Sequence, residues 1–306
     1  MAFTTKAADA PVRRAHWRES KRFGNTFKLT LSYIVLTFGA FLLIIPFIWM
    51  VTTSIKGPVA VMQFPPLWIP GVQFEPLWEN YPTALLQDHA PFGIFFRNTF
   101  VITALAMAGQ IISSAVVAFS FARLRWKGRE FVFFIVLATI MLPQQVTLVP
   151  QFILFRNLGW INTFLPLIVP FWLGVGNAFF IFLLRQFFMR VPLDYDDAAR
   201  IDGAGTFQIF WRIVMPLSLP ALGTVAIFSF INHWNEFFHA LIYLNEISKY
   251  NLALGLTQFR GFTRYEISAW NLLMAASLTA LVPVLLVFFF AQRYFIQGIV
   301  ISGVKG

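Results

Sequence analysis

Four of the chain's 13 acidic residues, Asp194, Asp196, Asp197 and Asp202, fall within nine positions of one stretch, "PLDYDDAARIDGAG". Carboxylates are the usual groups for acid–base work, but these stand among Ala198, Ala199, Gly203 and Gly205 rather than among side chains that could converge on a pocket. Of the four histidines, His233 and His239 are six apart in "HWNEFFH", which neither puts them on one helical face nor matches the zinc-binding H-E-x-x-H pattern; His16 and His89 stand alone. No G-x-x-x-x-G-K-[ST] loop occurs and the basic turn "RLRWKGRE" has one glycine, so the chain has no means of cradling nucleotide phosphates. A G-x-S-x-G elbow is also missing. The expectation is a protein that is no enzyme, holds no metal and does not hydrolyse ATP by itself.

The elements that carry these residues are membrane helices. Of 306 residues, 58% are hydrophobic and only 12% charged, with a mean hydropathy of +0.71, whereas a soluble domain is about 25% charged. Charge-free runs extend over 29–55, 98–122, 131–155, 157–184, 213–235 and 267–292, each as long as the ~20 residues that cross the hydrocarbon. They do not alternate as barrel strands would. The expected fold is all-α, a polytopic bundle of six transmembrane helices, and no cleavable signal peptide precedes it. Cysteine is absent, which removes disulfides and thiolate ligands.

The net charge of +10 is explained by topology. With the N-terminus inside, the inner segments hold 17 Lys and Arg and the outer segments six, Lys56, Arg97, Arg156, Lys249, Arg260 and Arg264. Cations resist translocation, so both termini, the 123–130 turn and the acidic loop are expected in the cytoplasm. No nucleic acid is needed to account for the basic balance. Residues 1–28 form a basic, flexible or surface-lying arm, and 29–306 form the membrane domain. The outer segment "FPPLWIPGVQFEPLWENYP" reads as an ordered interfacial loop with Trp68, Trp78 and Tyr81 at headgroup level.

Polarity inside the spans is sparse. "MLPQQVTLVP" places Gln144 and Gln145 between Pro143 and Pro150 in one helix, and such breaks survive only against neighbouring helices or a water-filled cavity. Asn235 and Glu236 lie near the outer end of the fifth span. Glu236 is either a functional group of a pathway or an acid that snorkels or pairs. No internal repeat is visible, a weak mark against a secondary transporter with two matching halves.

Locally, Asp194 reads as the N-cap of a short helix, with Asp196 and Asp197 in its first turn, where the helix dipole favours negative charge. Gly203 and Gly205 end it, and Thr206 can cap a second helix before Pro216. Small residues on one side of the first helix let another chain approach closely, which suits a groove on a partner protein.

These residues resemble the EAA loop of ATP-binding cassette (ABC) importer permeases: Glu-Ala-Ala, three residues, Gly, nine residues, then Ile-x-Leu-Pro. Here the pattern stands as Asp197-Ala198-Ala199, Gly203 and Ile213-Val214-Met215-Pro216, with Asp197 in place of Glu and Met215 in place of Leu. "HWNEFFHALIYL", the ending "AQRYFIQGIVISGVKG" and "NYPTAL…FFRNTFVIT" are similar to the maltose-type, carbohydrate-uptake group, the likeness running from about residue 29 onward. The resemblance implies a bacterial inner-membrane permease whose EAA loop, between spans four and five, is a coupling helix. That helix docks on one of two nucleotide-binding ATPase subunits, which bind the ATP and Mg, so that the permease chain itself carries no cofactor. It further implies a second, related permease chain, an extracytoplasmic solute-binding protein and a C-terminal tail reaching toward the ATPase. The expected solute is a mono- or oligosaccharide, with Asn235, Glu236, Gln144 and Gln145 as pathway candidates. The rivals are a polyol or glycerol phosphate importer of the same superfamily and a proton-coupled secondary transporter.

Overall fold

The computed structural model describes residues 13–88, 90–260 and 269–303, and the side chains of these except 13–25, 260 and 293–303. The side chain of His16, and His89, residues 1–12, 261–268 and 304–306 altogether, lie outside what is described. The described residues are helical, joined by turns, with an isolated bridge between Pro70 and Phe74. Two units divide at Thr52. The first holds all but the last two residues of the long helix α1 (Arg13–Ser54), which starts within the basic arm and carries its apolar side chains exposed, as a lipid-facing helix does.

In the second unit, α2 (Phe92–Arg123) is the central unbroken helix. Around it lie α3 (Arg129–Ala138), α4 (Gln144–Asn157), α5 (Leu165–Trp172) and α6 (Ala178–Phe188). Then come α7 (Asp194–Ile201), α8 (Thr206–Leu217), α9 (Leu219–Trp234) and α10 (Trp270–Gly303). Three helices, Thr26–Ser54, Phe92–Arg123 and Trp270–Gln292, are long and apolar enough to cross a membrane, and up to five spans result if each sharply bent pair is one.

Sharp bends divide runs that were each expected to be one span. The run expected to hold Pro143 and Pro150 in one helix is two helices at 99°. Leu142 is extended at ψ 117° and Pro143 stands at the N-cap of α4, because a proline ring drives the residue before it out of the α region. Pro150 stays inside α4. The 157–184 run is likewise split, into α5 and α6, by a turn at 173–177 with Gly174 and Gly176 left-handed at φ +81° and +78°. The α8–α9 pair bends by 78° at Ser218.

Packing follows two apolar clusters along α2. At the Arg123 end, Phe119, Phe121, Leu184, Phe188, Ile209, Phe210, Val214 and Val225 close together. At the other end, Phe92, Phe95, Trp234 and Leu252 meet Ala275, Ala276 and Ala280 of α10. Small residues let helices approach closely where no hydrophobic effect drives them together. The Trp234 indole N–H donates to the Ala280 carbonyl at 3.2 Å.

Trp68 and Trp78 of the interfacial segment are exposed. The segment is pinned through Asn80, whose amide donates to the Ser54 and Lys56 carbonyls at 2.9 and 2.8 Å and accepts from Asn271 at 3.0 Å. Tyr81 shares a 2.9 Å hydrogen bond with Ser54.

Gly255 is a site where the fold tolerates no Cβ: one built there lies 2.2 Å from the buried Phe95 ring. Gly255→Ala is expected to cost ~1–3 kcal/mol through overpacking, seen as a lower thermal midpoint of the detergent-solubilised protein. Gly93→Ala, where a Cβ meets open space, is the control expected to leave the midpoint unchanged.

Candidate functional site: an acidic helix anchored by a buried arginine

The acidic stretch folds as α7, eight residues long, with three acids in its first turn. Asp194 is the first residue inside the helix and not its cap; the N-cap is Leu193, in αR conformation with no side-chain bond. The helix is instead started by the Asp196 and Asp197 amides donating to the Leu193 carbonyl at 2.8 and 3.0 Å. Its end is made by Gly203. At φ +81° the Ala204 amide reaches back to the Ala199 carbonyl (2.8 Å) and the Gly203 amide to the Arg200 carbonyl (3.0 Å), the paired bonds of a Schellman turn. Thr206 is also not a cap: Gly205 holds that place, and Gln208 accepts from its amide at 3.0 Å.

The second helix opens into a π turn over Phe210–Val214, one residue short of Pro216. Proline has no N–H to give and its ring crowds the carbonyl four residues back, and the wider turn separates the two. The turn packs Ile209, Phe210 and Val214 into the core, with Ile213 and Met215 against it.

The structure sorts the motif residues into two sets. Ala199, Ile213 and Met215 are partly buried and face the core, where they seat the loop. Asp197, Ala198, Gly203 and Pro216 are exposed. With Asp197 and Ala198 on the outer face goes Ile201, 87% exposed, one turn on along the same side.

Composition gave no sign of the anchor beneath. Asp196, the one buried acid of α7, lies 3.7 Å from Arg123 at the end of α2, their side chains 5% and 2% exposed. Arg123 also donates to the Val191 carbonyl at 2.7 Å. Nearby, the Arg185 guanidinium donates to both Glu130 oxygens at 2.8 and 2.9 Å, to the Phe121 carbonyl at 3.3 Å, and lies 4.1 Å from the Phe133 ring centre. Two arginines that sequence counts only as topology markers thus tie together the ends of α2, α3, α6 and α7. The one signal in sequence is their position at span ends, where most arginines are solvated.

The pathway candidates are not brought together. Gln144 and Gln145 are exposed at the start of α4. Asn235 is exposed and donates to the Ile231 carbonyl at 2.8 Å. Glu236 is half-buried and paired with His239, 3.0 Å away, while its backbone carbonyl accepts from Asn251. His233 instead enters a buried polar network with Gln110, Ser229 and Asn177.

Residues 110–301 match the family described as binding-protein-dependent transport system inner membrane component. Among curated proteins, the chain is 31% identical over 265 residues to the probable ABC transporter permease protein YurM of Bacillus subtilis, covering 85% of this chain and 83% of that one. It is 30% identical to the sn-glycerol-3-phosphate transport system permease protein UgpE of Yersinia enterocolitica, over 88% and 95% of the two chains. To the arabinooligosaccharides transport system permease protein AraQ of Halalkalibacterium halodurans it is 34% identical, over 69% and 74%. Among solved structures, a bacterial ABC transporter involved in the import of the acidic polysaccharide alginate matches with a TM-score of 0.77 at 25% identity, covering 91% of this chain and 98% of that one.

Removing Asp196 leaves Arg123 as an uncompensated buried charge. Asp196→Ala is expected to destabilise by ~3–5 kcal/mol, measured as a fall in the thermal midpoint, whereas Asp197→Ala, at an exposed position, shifts it little. Equal shifts for the two would contradict the anchoring.

Proposed function

The chain belongs to the family of binding-protein-dependent transport system inner membrane components, and we propose that it is the permease subunit through which an ABC importer moves a sugar into the cytoplasm. The observation that carries this reading is the family match, which contains the whole acidic loop and its Ile213–Pro216 ending, taken with sugar importers among the relatives. A glycerol phosphate solute is the second reading, since a permease for that compound aligns over 88% of the chain. A phosphate ester calls for an inward-facing cation. The charge-free runs offer none, so sugar is preferred.

In this reading the protein is a multi-pass inner-membrane chain with six spans and cytoplasmic termini. Residues 1–28 are its arm, and the transmembrane domain begins at 29. The EAA loop between spans four and five is the coupling helix. Its outer face, Asp197, Ala198, Ile201 and Gly203, enters a cleft of a nucleotide-binding ATPase, where Asp197 meets a basic residue. A largely exposed Ile201 beside an acid suits a docking surface, because burying it adds hydrophobic contact while the carboxylate fixes the register. ATP and Mg belong to two such ATPase subunits. A second, related permease completes the path, and an extracytoplasmic binding protein delivers the solute.

Titration of the cognate binding protein with arabino-oligosaccharides, other sugars and glycerol 3-phosphate tests the solute class. Sugar affinity with no response to the phosphate ester is expected, and the reverse overturns the sugar reading. ATP-driven uptake by the reconstituted transporter tests the mechanism; uptake that persists with an inactivated ATPase would establish the secondary-transport rival.

Two substitutions test the loop. Around Gly203 the chain leaves open space, so Gly203→Trp meets strain from its positive φ within this chain and a steric clash only against a docked partner. It is expected to abolish uptake while the protein still reaches the membrane. Asp197→Lys, which places like charge against a basic cleft, is expected to lower solute-stimulated ATPase activity; unchanged ATPase binding and turnover would refute the pairing.

A further inference from the structure

The basic turn between α2 and α3, "RLRWKGRE", carries more positive charge than its own chain engages. Arg123 is held by Asp196 and the Val191 carbonyl. Arg129 donates to Glu130 at 2.9 Å and to the Leu124 carbonyl at 3.1 Å. Glu130, the one acid of the turn, is turned to Arg185 and Arg129, so its charge is already balanced. Arg125 and Lys127 are exposed and make no ion pair or side-chain hydrogen bond among the described residues.

This surplus charge borders a cavity. Arg125, Trp126, Gly128, Arg129, Glu130 and Phe131 line a volume of about 420 Å³, within the usual range for a small-ligand site. Trp126 is a wall held from behind, its ring 5.7 Å from that of the buried Phe121. Its indole N–H has no partner among the described residues. Gly128, left-handed at φ +85°, makes the turn without adding a side chain to the cavity.

Phe131 belongs both to the cavity and to the apolar face of α3. Phe131 and Phe134 are 69% and 68% exposed and Ile135 is 48% exposed, and residues three and four apart share one helical face. The charge-free runs 98–122 and 131–155 flank the turn, which puts its cations where hydrocarbon gives way to headgroups. A cationic hollow therefore opens directly onto a surface fit for acyl chains.

From this juxtaposition we infer that the 125–131 turn is a binding site for an anionic glycerophospholipid of the inner leaflet. The lipid phosphodiester occupies the cavity and accepts from the Arg125 guanidinium and the Trp126 indole, with Lys127 at the rim. The acyl chains run along Phe131, Phe134 and Ile135. Two cations without partners favour a headgroup of net negative charge, because the ammonium of a zwitterionic lipid is repelled by them. Inorganic phosphate offers the same oxygens but nothing to cover the α3 face. The inference rests on the topology of the permease reading above, which puts this turn in the cytoplasm.

The test uses the full transporter with its second permease and ATPase subunits, delipidated in detergent and titrated with dioleoylphosphatidylglycerol, with native mass spectrometry and the thermal midpoint as readouts. Binding at least about tenfold tighter than that of dioleoylphosphatidylcholine is expected, together with a midpoint that rises as the anionic lipid is added. Arg125→Gln combined with Lys127→Gln is expected to lower the affinity at least about tenfold and to abolish the rise, with the lipid-free midpoint unchanged. Lys28→Gln combined with Arg190→Gln removes the same charge from exposed cytoplasmic positions and is expected to change the affinity less than about twofold. Equal losses in the two double variants, or full affinity in the first, overturn the site. Displacement of the lipid by inorganic phosphate overturns the lipid as its ligand, and lipid binding seen only after the ATPase subunits are removed overturns it as well. Because the chain has no cysteine, Lys127→Cys reports topology separately. Labelling by an impermeant maleimide from the cytoplasmic side is expected. Labelling from the outer side overturns the topology of the permease reading, whereas cytoplasmic labelling without lipid preference overturns the lipid site alone.

Discussion

A peptide group in hydrocarbon has no water to bond to, and the helices of this chain are arranged around that constraint. A continuous helix meets it by itself, and α1, α2 and α10 are the long continuous ones. Each of the other runs is interrupted, and each interruption calls for a local answer. At Pro143 the N–H that the break would strand is absent by chemistry. At Ser218 the amide is shared between the Val214 and Met215 carbonyls, 3.0 and 3.1 Å away. At 173–177 the answer is one-sided, since Ser113 and Asn177 serve the carbonyl facing α2 and nothing within the described chain serves the opposite face.

Buried charge is subject to a similar rule at the Arg123 end of the bundle. Desolvating a guanidinium costs several kcal/mol, which attraction to a partner offsets only when the surroundings also supply hydrogen bonds. Arg185 meets that condition with a bidentate carboxylate, a carbonyl and an aromatic face. Arg123 meets it less fully: Asp196 is 3.7 Å away and the firm bond is to the Val191 carbonyl. The Arg123–Asp196 contact therefore acts more as a positional constraint than as a source of net stability. It makes α7 part of the bundle and leaves Asp197, one residue further, free on the opposite side.

The motif was legible in sequence because its information lies in spacing: Asp197, Ala198, Ala199, Gly203 and Pro216 need no tertiary contact to be recognised. Gly203 at positive φ is also what sequence reading expects of a residue ending a short helix. The capping assignments failed for a different reason. Asp194 and Thr206 are residue types favoured at caps, but Leu193 already presents its carbonyl to two amides and Gln208 reaches back to Gly205, so local hydrogen bonds set each boundary one residue earlier. Asp196 could not be distinguished from Asp197 in sequence, because which of two adjacent acids turns inward depends on where Arg123 ends α2. The buried network was hidden similarly. Gln110, Asn177 and Ser229 are scattered over 119 positions and each alone is an ordinary polar residue in an apolar run.

The unbroken helix α2 connects the two ends of this arrangement. It carries Arg123 at one end and Gln110 some 20 Å along it, with no proline between them. A helix of this kind bends gently unless a proline, a π turn or an inserted group interrupts its ladder, and the π turn of this region lies in α8, outside the route. Arg123 thus links α7 to this continuous helix through its contact with Asp196. The 173–177 break, with its two left-handed glycines Gly174 and Gly176, is held to α2 through the hydrogen bond between Gln110 and Asn177.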